Sequence, residues 1–205
     1  EYIINHAEDQ YVFVDLSFVE LLEPLQDKLS SVKGFIVMTD LAHMPETSLA
    51  PLYCFETLLT GQSRDYDWPR FDENTAASLC YTSGTTGNPK GVLYSHRAMV
   101  LHAQATASRE LLDLKTDAVL LAMVAMYHAG AWGAPYAAPL AGCKLVLPGA
   151  GMDGASMSEL IESEGVTVGL GVPTIWLTLH NYWADRGVSD TSLERVCVGG
   201  AASPL

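Results

Sequence analysis

The residues Tyr81-Thr82-Ser83-Gly84-Thr85-Thr86-Gly87-Asn88-Pro89-Lys90-Gly91 hold the densest chemistry of the 205-residue chain. Glycines let backbone N–H groups converge on one point, the hydroxyls of Thr82, Ser83, Thr85 and Thr86 add donors, and Lys90 brings a cation. A segment of that kind suits a phosphate group. It is not a Walker A loop, because Lys90 follows Pro89, precedes Gly91 and stands at the wrong distance from Gly84. The dinucleotide pattern G-x-G-x-x-G is also missing. A bare GTTG would read as a flexible surface loop; the whole string with its lysine favours the cradle.

Two further segments place reactive or accommodating residues together. Met126-Tyr127-His128-Ala129-Gly130-Ala131-Trp132 sets a histidine and a tryptophan four residues apart in a stretch without charge. Taken singly, His128 would be an interior histidine and Trp132 a core residue, but Gly130 and Gly133 around the indole point to a loop. Val198-Gly199-Gly200-Ala201-Ala202 is a glycine-rich turn at the end of an apolar run. His6, His43, His96, His102 and His180 show no metal-ligand spacing, and no residue of the chain is assigned as a metal ligand.

Strand ends must carry these segments. Short apolar runs alternating with helical periodicity predict an α/β fold, a layered sheet with helices on its faces. Strands are expected over 11–15, 34–38, 76–81, 92–94, 119–124, 144–147, 166–170 and 195–198. Helices are expected over 18–29, 97–112, 156–164 and from Pro173 to about Arg186, with a short helical stretch over 55–59. Glu110 and Asp113 would sit awkwardly at the C-terminal end of the 97–112 helix, against its dipole. Residues 40–75 read as a surface excursion, and 82–90 as a loop between strands at one end of a mixed sheet. Residues 118–143 lack Asp, Glu, Lys and Arg, yet His128, Pro135, Pro139 and three glycines cut them too short for a membrane span. A buried strand and a ligand-lining loop are expected there instead.

Composition narrows the function. The formal net charge of −13 disfavours nucleic acid and anionic lipid as partners. Residues 1–75 carry 14 acids and 4 bases, whereas 76–205 carry 10 and 7, so an anion site belongs in the later part. Cys54, Cys80, Cys143 and Cys197 are scattered among apolar neighbours, as buried thiols of a cytoplasmic protein would be. The chain opens on Glu1 and closes just after a glycine turn, which reads as a piece of a longer protein.

The string YTSGTTGNPKGV followed by Ser95-His96-Arg97 resembles the signature loop of the adenylate-forming (AMP-binding) superfamily, which includes acyl-CoA synthetases, peptide-synthetase adenylation domains and luciferases. The 126–132 segment, Val172-Pro173-Thr174 and 198–202 are similar to later motifs of the superfamily, in its order. The His128/Trp132 spacing and Asn5-His6-Ala7-Glu8 most resemble the fatty-acid acyl-CoA ligase branch.

The resemblance implies that residues 1–205 are part of the large N-terminal AMP-binding domain of an acyl-CoA synthetase, with the C-terminal catalytic-lysine domain absent. It implies ATP-dependent activation of a medium- or long-chain fatty acid to acyl-adenylate and then acyl-CoA, with Mg²⁺ as cofactor and coenzyme A as co-substrate. Thr82, Ser83, Gly84, Thr85, Thr86, Gly87 and Lys90 would hold the ATP phosphates, Lys90 and His128 would be catalytic, and His128 and Trp132 would meet the acid, Trp132 as gate of the acyl tunnel. Gly200, Ala201 and Ala202 would line the floor on which adenine and the carboxylate sit. A homodimer is left open, and no transmembrane segment is expected. The alternatives are a ligase for a small or sulfur-containing acid, a luciferase-like oxygenase, and an inactive nucleotide-binding module; this piece alone is expected to form no acyl-CoA.

Overall fold

The computed structural model describes residues 1–83 and 87–202, which divide into two compact units, Glu1–Arg70 and Phe71–Leu205. In the first, the helix α1 (Tyr2–Ala7) leads into a parallel sheet of β1 (Tyr11–Val14), β2 (Gly34–Val37) and β3 (Leu52–Cys54), paired in that order. Val14, Phe35 and Val37 bury against Val19, Leu22, Leu29 and Leu49. The helix expected over 18–29 is broken. Only α2 (Val19–Leu22) is α-helical, and 3-10 turns flank it at Leu16–Phe18 and Glu23–Lys28. Pro24 is the reason, since it offers no N–H and its ring crowds the carbonyl four residues back. The 40–75 stretch is more than an excursion, because it returns β3 to the sheet before the expected short helix α3 (Phe55–Leu59). Glu23 steers that return by accepting from Thr47 Oγ1 at 2.6 Å and from the Ser48 amide at 3.1 Å.

The second unit opens with an antiparallel hairpin, β4 (Ala76–Thr82) and β5 (Lys90–Ser95), in which Thr82 pairs with Lys90. The 82–90 segment thus joins strands as expected, but of a two-stranded antiparallel sheet, not a mixed one. Ser95 caps α4 (His96–Ala107) by accepting from the Ala98 amide at 3.1 Å. That helix stops five residues before the expected end. The chain turns at Asp113, φ 47°, to bury Leu112 and Leu114, and Arg195 fixes the turn by donating to the Leu112 carbonyl at 2.7 Å. Glu110 and Asp113 therefore lie beyond the helix and do not oppose its dipole.

Next come four parallel strands, β6 (Val119–Met123), β7 (Lys144–Val146), β8 (Val168–Gly171) and β9 (Arg195–Val198), in the spatial order β7-β6-β8-β9. Both faces are covered, so β6 is apolar at every position. Leu120 and Ala122 face a core shared with α4 and α6 (Ala134–Ala141), whereas Leu121 and Met123 face α7 (Gly154–Glu164) and α8 (Pro173–Arg186). The helix α6 takes the place of part of the expected 118–143 loop. Its alanines at 134, 137, 138 and 141 recur at helical spacing and pack on the sheet despite Pro139. Asp153 starts α7 two residues early by accepting from the Ala155 and Ser156 amides, both at 3.0 Å.

Gly169 and Gly171 receive the Trp176 indole: a Cβ on Gly169 would stand 2.5 Å from Trp176 Cη2. Only Cys54 is a fully buried thiol; Cys80, Cys143 and Cys197 are half-buried, and burial pushes the Cys143 and Cys197 thiols up. Among the described residues no helix is long and apolar enough to cross a membrane.

Candidate functional site

In an open parallel sheet a crevice forms where neighbouring strands send their outgoing chains to opposite faces. Here that point lies between β6 and β8. The chain leaving β6 runs to α6 and the core it shares with α4, and the chain leaving β8 runs into α8 on the other face. A cavity of about 800 Å³ occupies this position, walled by 122–128 and Trp132, by Leu147–Gly149 and Met152 after β7, by Val172 and Ile175, and by Gly200 after β9. Among the described residues no Asp, Glu, Lys or Arg lines it. Only Tyr127, His128 and Trp132 among the described residues bring polar side-chain atoms to it, while Met123, Met126 and Met152 bring three thioethers. Such walls suit an apolar chain with one polar end near the histidine.

Trp132 is carried by the short element α5 (Ala129–Trp132), which winds left-handed. Ala129, Gly130, Ala131, Trp132 and Gly133 have φ of 47°, 58°, 50°, 54° and 80°. For the three non-glycine residues that conformation costs about 1–2 kcal/mol each. His102 on α4 holds the turn from behind, donating from Nε2 to the Trp132 carbonyl at 3.2 Å. Gly133 must be glycine, since a Cβ there would lie 2.6 Å from His102 Cδ2. In front, the indole lies over Gly199, whose missing Cβ would stand 3.1 Å from Trp132 Cη2.

The residues singled out by sequence fall into two groups. His128, exposed at the N-cap of α5, joins Trp132 and Gly200 in the crevice. Ala201 and Ala202 follow Gly200 as exposed residues and do not line it. Thr82, Ser83, Gly87 and Lys90 sit at the turn end of the β4–β5 hairpin, all exposed and outside the crevice lining. Gly84, Thr85 and Thr86 lie outside the described residues. At Gly87, φ is +87° and a Cβ would meet nothing within 4 Å, so the glycine answers to backbone conformation alone. Among the described residues no group of three or more His, Cys, Asp or Glu side chains comes together as a metal site, so they assign no ligands to Mg²⁺. Sequence reading passed over Met152 and Ile175 as lining residues. Each follows the C-terminal end of an expected strand, and the crevice rule would have pointed to them.

Comparison with known proteins adds to this geometry. The pattern of the family described as "AMP-binding enzyme" matches residues 1–205. The medium-chain-fatty-acid–CoA ligase of Ectopseudomonas oleovorans is 48% identical over 203 residues, covering 99% of this chain and 37% of that protein. The 3-methylmercaptopropionyl-CoA ligase of Ruegeria lacuscaerulensis is 44% identical, covering 99% and 38%. This chain therefore spans well under half the length of these relatives. The N-terminal domain of FACL13 from Mycobacterium tuberculosis superposes with a TM-score of 0.80 at 23% identity, over 99% of this chain and 48% of that one, and so shares its fold.

Proposed function

We propose, from the premise that this chain belongs to the AMP-binding enzyme family, that in the complete protein it supplies the acid crevice and phosphate loop of an AMP-forming acyl-CoA ligase. The acid is a medium- or long-chain monocarboxylic acid. ATP and coenzyme A are the co-substrates. The observation that carries this reading is the uncharged cavity at the β6/β8 crevice with His128 and Trp132 on one wall. Its apolar extent favours an aliphatic chain over an amino acid or a dicarboxylate, whose second charge would be buried without a partner.

The hairpin end fits the other substrate. Thr82 and Ser83 carry hydroxyls and Lys90 an ammonium at the head of β5, a donor set for pyrophosphate oxygens as a carboxylate displaces them at the α-phosphorus. Lys90 would act by neutralising charge that grows as the bond to pyrophosphate breaks. His128 borders the crevice where the acid head must stand, and Trp132 bounds the space for its chain. When bound with the nucleotide, Mg²⁺ would draw charge from the phosphate oxygens, and the described residues offer it no group of three ligands.

A second reading, a ligase for a short thioether acid, is favoured by the three methionines on the crevice wall and by the Ruegeria relative. Acid competition separates the two. Trp132→Ala in the complete protein is expected to change KM for octanoate and palmitate several-fold and leave KM for ATP as it was. An unchanged acid profile with a weakened ATP KM would refute the placement of the acid in this crevice.

A further inference from the structure

Between the base of the β4–β5 hairpin and its turn end, one residue is out of step. The ladder passes from Ala76 opposite Ser95 straight to Ser78 opposite Tyr94 and then runs evenly to Thr82 opposite Lys90, so Ala77 is an extra residue on β4. The base beneath it is tied. The His96 amide donates to the Thr75 carbonyl at 3.0 Å, and the Arg97 amide donates to the Glu73 carbonyl at 2.8 Å. The Arg97 guanidinium donates to the Glu73 carboxylate at 2.5 Å, and the Phe71 and His96 rings stand 4.5 Å apart. The bulge at Ala77 lies where this tied base meets the regular arm.

Opposed residues share a face of a sheet, so Ser78, Cys80 and Thr82 lie with Tyr94, Val92 and Lys90. Ser78, Cys80 and Tyr94 line a small cavity with His102 of α4 and with Ala129 and Gly130, the residues that follow His128. The other face carries Leu79 and Leu93, both exposed. Were Ala77 paired with Tyr94, Tyr81 would oppose Lys90 and the β4 side chains beyond it would exchange faces. The extra residue therefore sets Thr82 beside Lys90 on the face turned toward α4 and α5. A bulge also bends its strand and raises the local twist. The four residues from Tyr94 to Lys90 span about 13 Å. A swing of ~20° at Ala77, no larger than ordinary interstrand twist, would carry the tip through about 4–5 Å. A misplacement of about 1 Å costs up to on the order of 100-fold in rate.

We propose that Ala77 is a positioning residue for Lys90. Its bulge, held from below by the tie of Glu73 to Arg97, sets the register and the aim of the arm that carries Thr82 and Lys90. It acts through the backbone, and its methyl group takes no part. This role rests on the phosphate-site reading of Lys90 above.

The test uses acid-dependent pyrophosphate exchange by the complete protein. Deleting Ala77 makes the pairs of Ala76 with Ser95 and Ser78 with Tyr94 successive rungs, so Thr82 still opposes Lys90 and only the bend is lost. Exchange is expected to fall by on the order of 100-fold, with Tm lowered by no more than about 4–8 °C. Lys90→Ala added to the deletion is expected to cost less than about threefold, against tenfold or more in the parent protein. Ala77→Ser keeps the extra residue and should hold exchange within about threefold of the parent. A glycine inserted between Tyr94 and Ser95 gives Ala77 a partner, straightens the arm from the other strand and takes over the test should the deletion fail to fold. Exchange unchanged by the straightening, or a full Lys90→Ala effect on top of it, overturns the proposal. Failure of both variants to fold overturns it too, because Ala77 would then be a requirement of folding alone. Lys90→Ala without effect in the parent protein would refute the phosphate-site reading, and the proposal with it.

Discussion

A chain-length series with one added hydroxyl probes the crevice most directly. Among the described residues its walls carry no charge, and the only polar side-chain atoms belong to Tyr127, His128 and Trp132. Tyr127 is 84% exposed, so it marks the mouth. Each methylene entering such a space gains about 0.8 kcal/mol, or about fourfold in kcat/KM. Between butanoate and octanoate four methylenes compound to on the order of 200-fold. A terminal hydroxyl carried past Tyr127, His128 and Trp132 meets aliphatic and methionine side chains, and left unpaired there it costs about 1–3 kcal/mol. Thus 8-hydroxyoctanoate should fall below octanoate by about fivefold to 150-fold. A sulfur replacing one methylene should cost little, because three methionines already offer polarisable contacts. Pyrophosphate release measured for the complete protein with each acid reads all three effects. A flat series from butanoate to octanoate, or equal rates with octanoate and its 8-hydroxy derivative, would refute the assignment of the acid to this cavity.

Lys90→Ala is expected to lower acid-dependent pyrophosphate exchange by on the order of tenfold to a thousandfold; an unchanged exchange rate would remove Lys90 from the phosphate site. Gly169→Ala brings a Cβ to 2.5 Å from Trp176 Cη2 in a strand paired on both sides, and overpacking of that kind costs about 1–3 kcal/mol. A Tm lowered by several degrees is the expected result, and an unchanged Tm would mean that the indole moves freely. Asp153 is held below the ordinary carboxylate range first by the Ser156 hydroxyl and then by the Ser156 amide. Its folded pKa is depressed, so its contribution is present above the unfolded value and is lost as pH falls through the folded one. The Tm difference between the protein and Asp153→Ala should therefore be present at pH 7 and shrink in acid, as scanning calorimetry at stepped pH would record.

Strand and helix alternation, the glycine- and hydroxyl-rich string ahead of Lys90 and the four-residue step from His128 to Trp132 were legible in the sequence because each depends on residues close together in the chain. The parallel core announced itself through runs such as Val119–Met123, where burial on both faces removes the polar alternation. The helix over Pro173–Arg186 follows from a proline that presets its first turn. Local chemistry also hid things. Pro24 breaks a good helical periodicity, while Pro139 fails to break α6, because the alanine face of α6 is packed on the sheet and tertiary burial outweighs the lost bond.

Only the tertiary structure decided how separate segments meet. The crevice gathers residues from after β6, β7, β8 and β9, and strand order, not spacing, makes them neighbours. The same holds for the glycines. Gly169 and Gly199 lie in or beside strands with nothing local to require them, and each makes room for an indole from elsewhere in the chain, Trp176 and Trp132. The left-handed course of Ala129–Gly133 is the clearest case. Two alanines and a tryptophan do not choose that conformation by themselves, and it stands because His102 behind and Gly199 in front hold the turn between them.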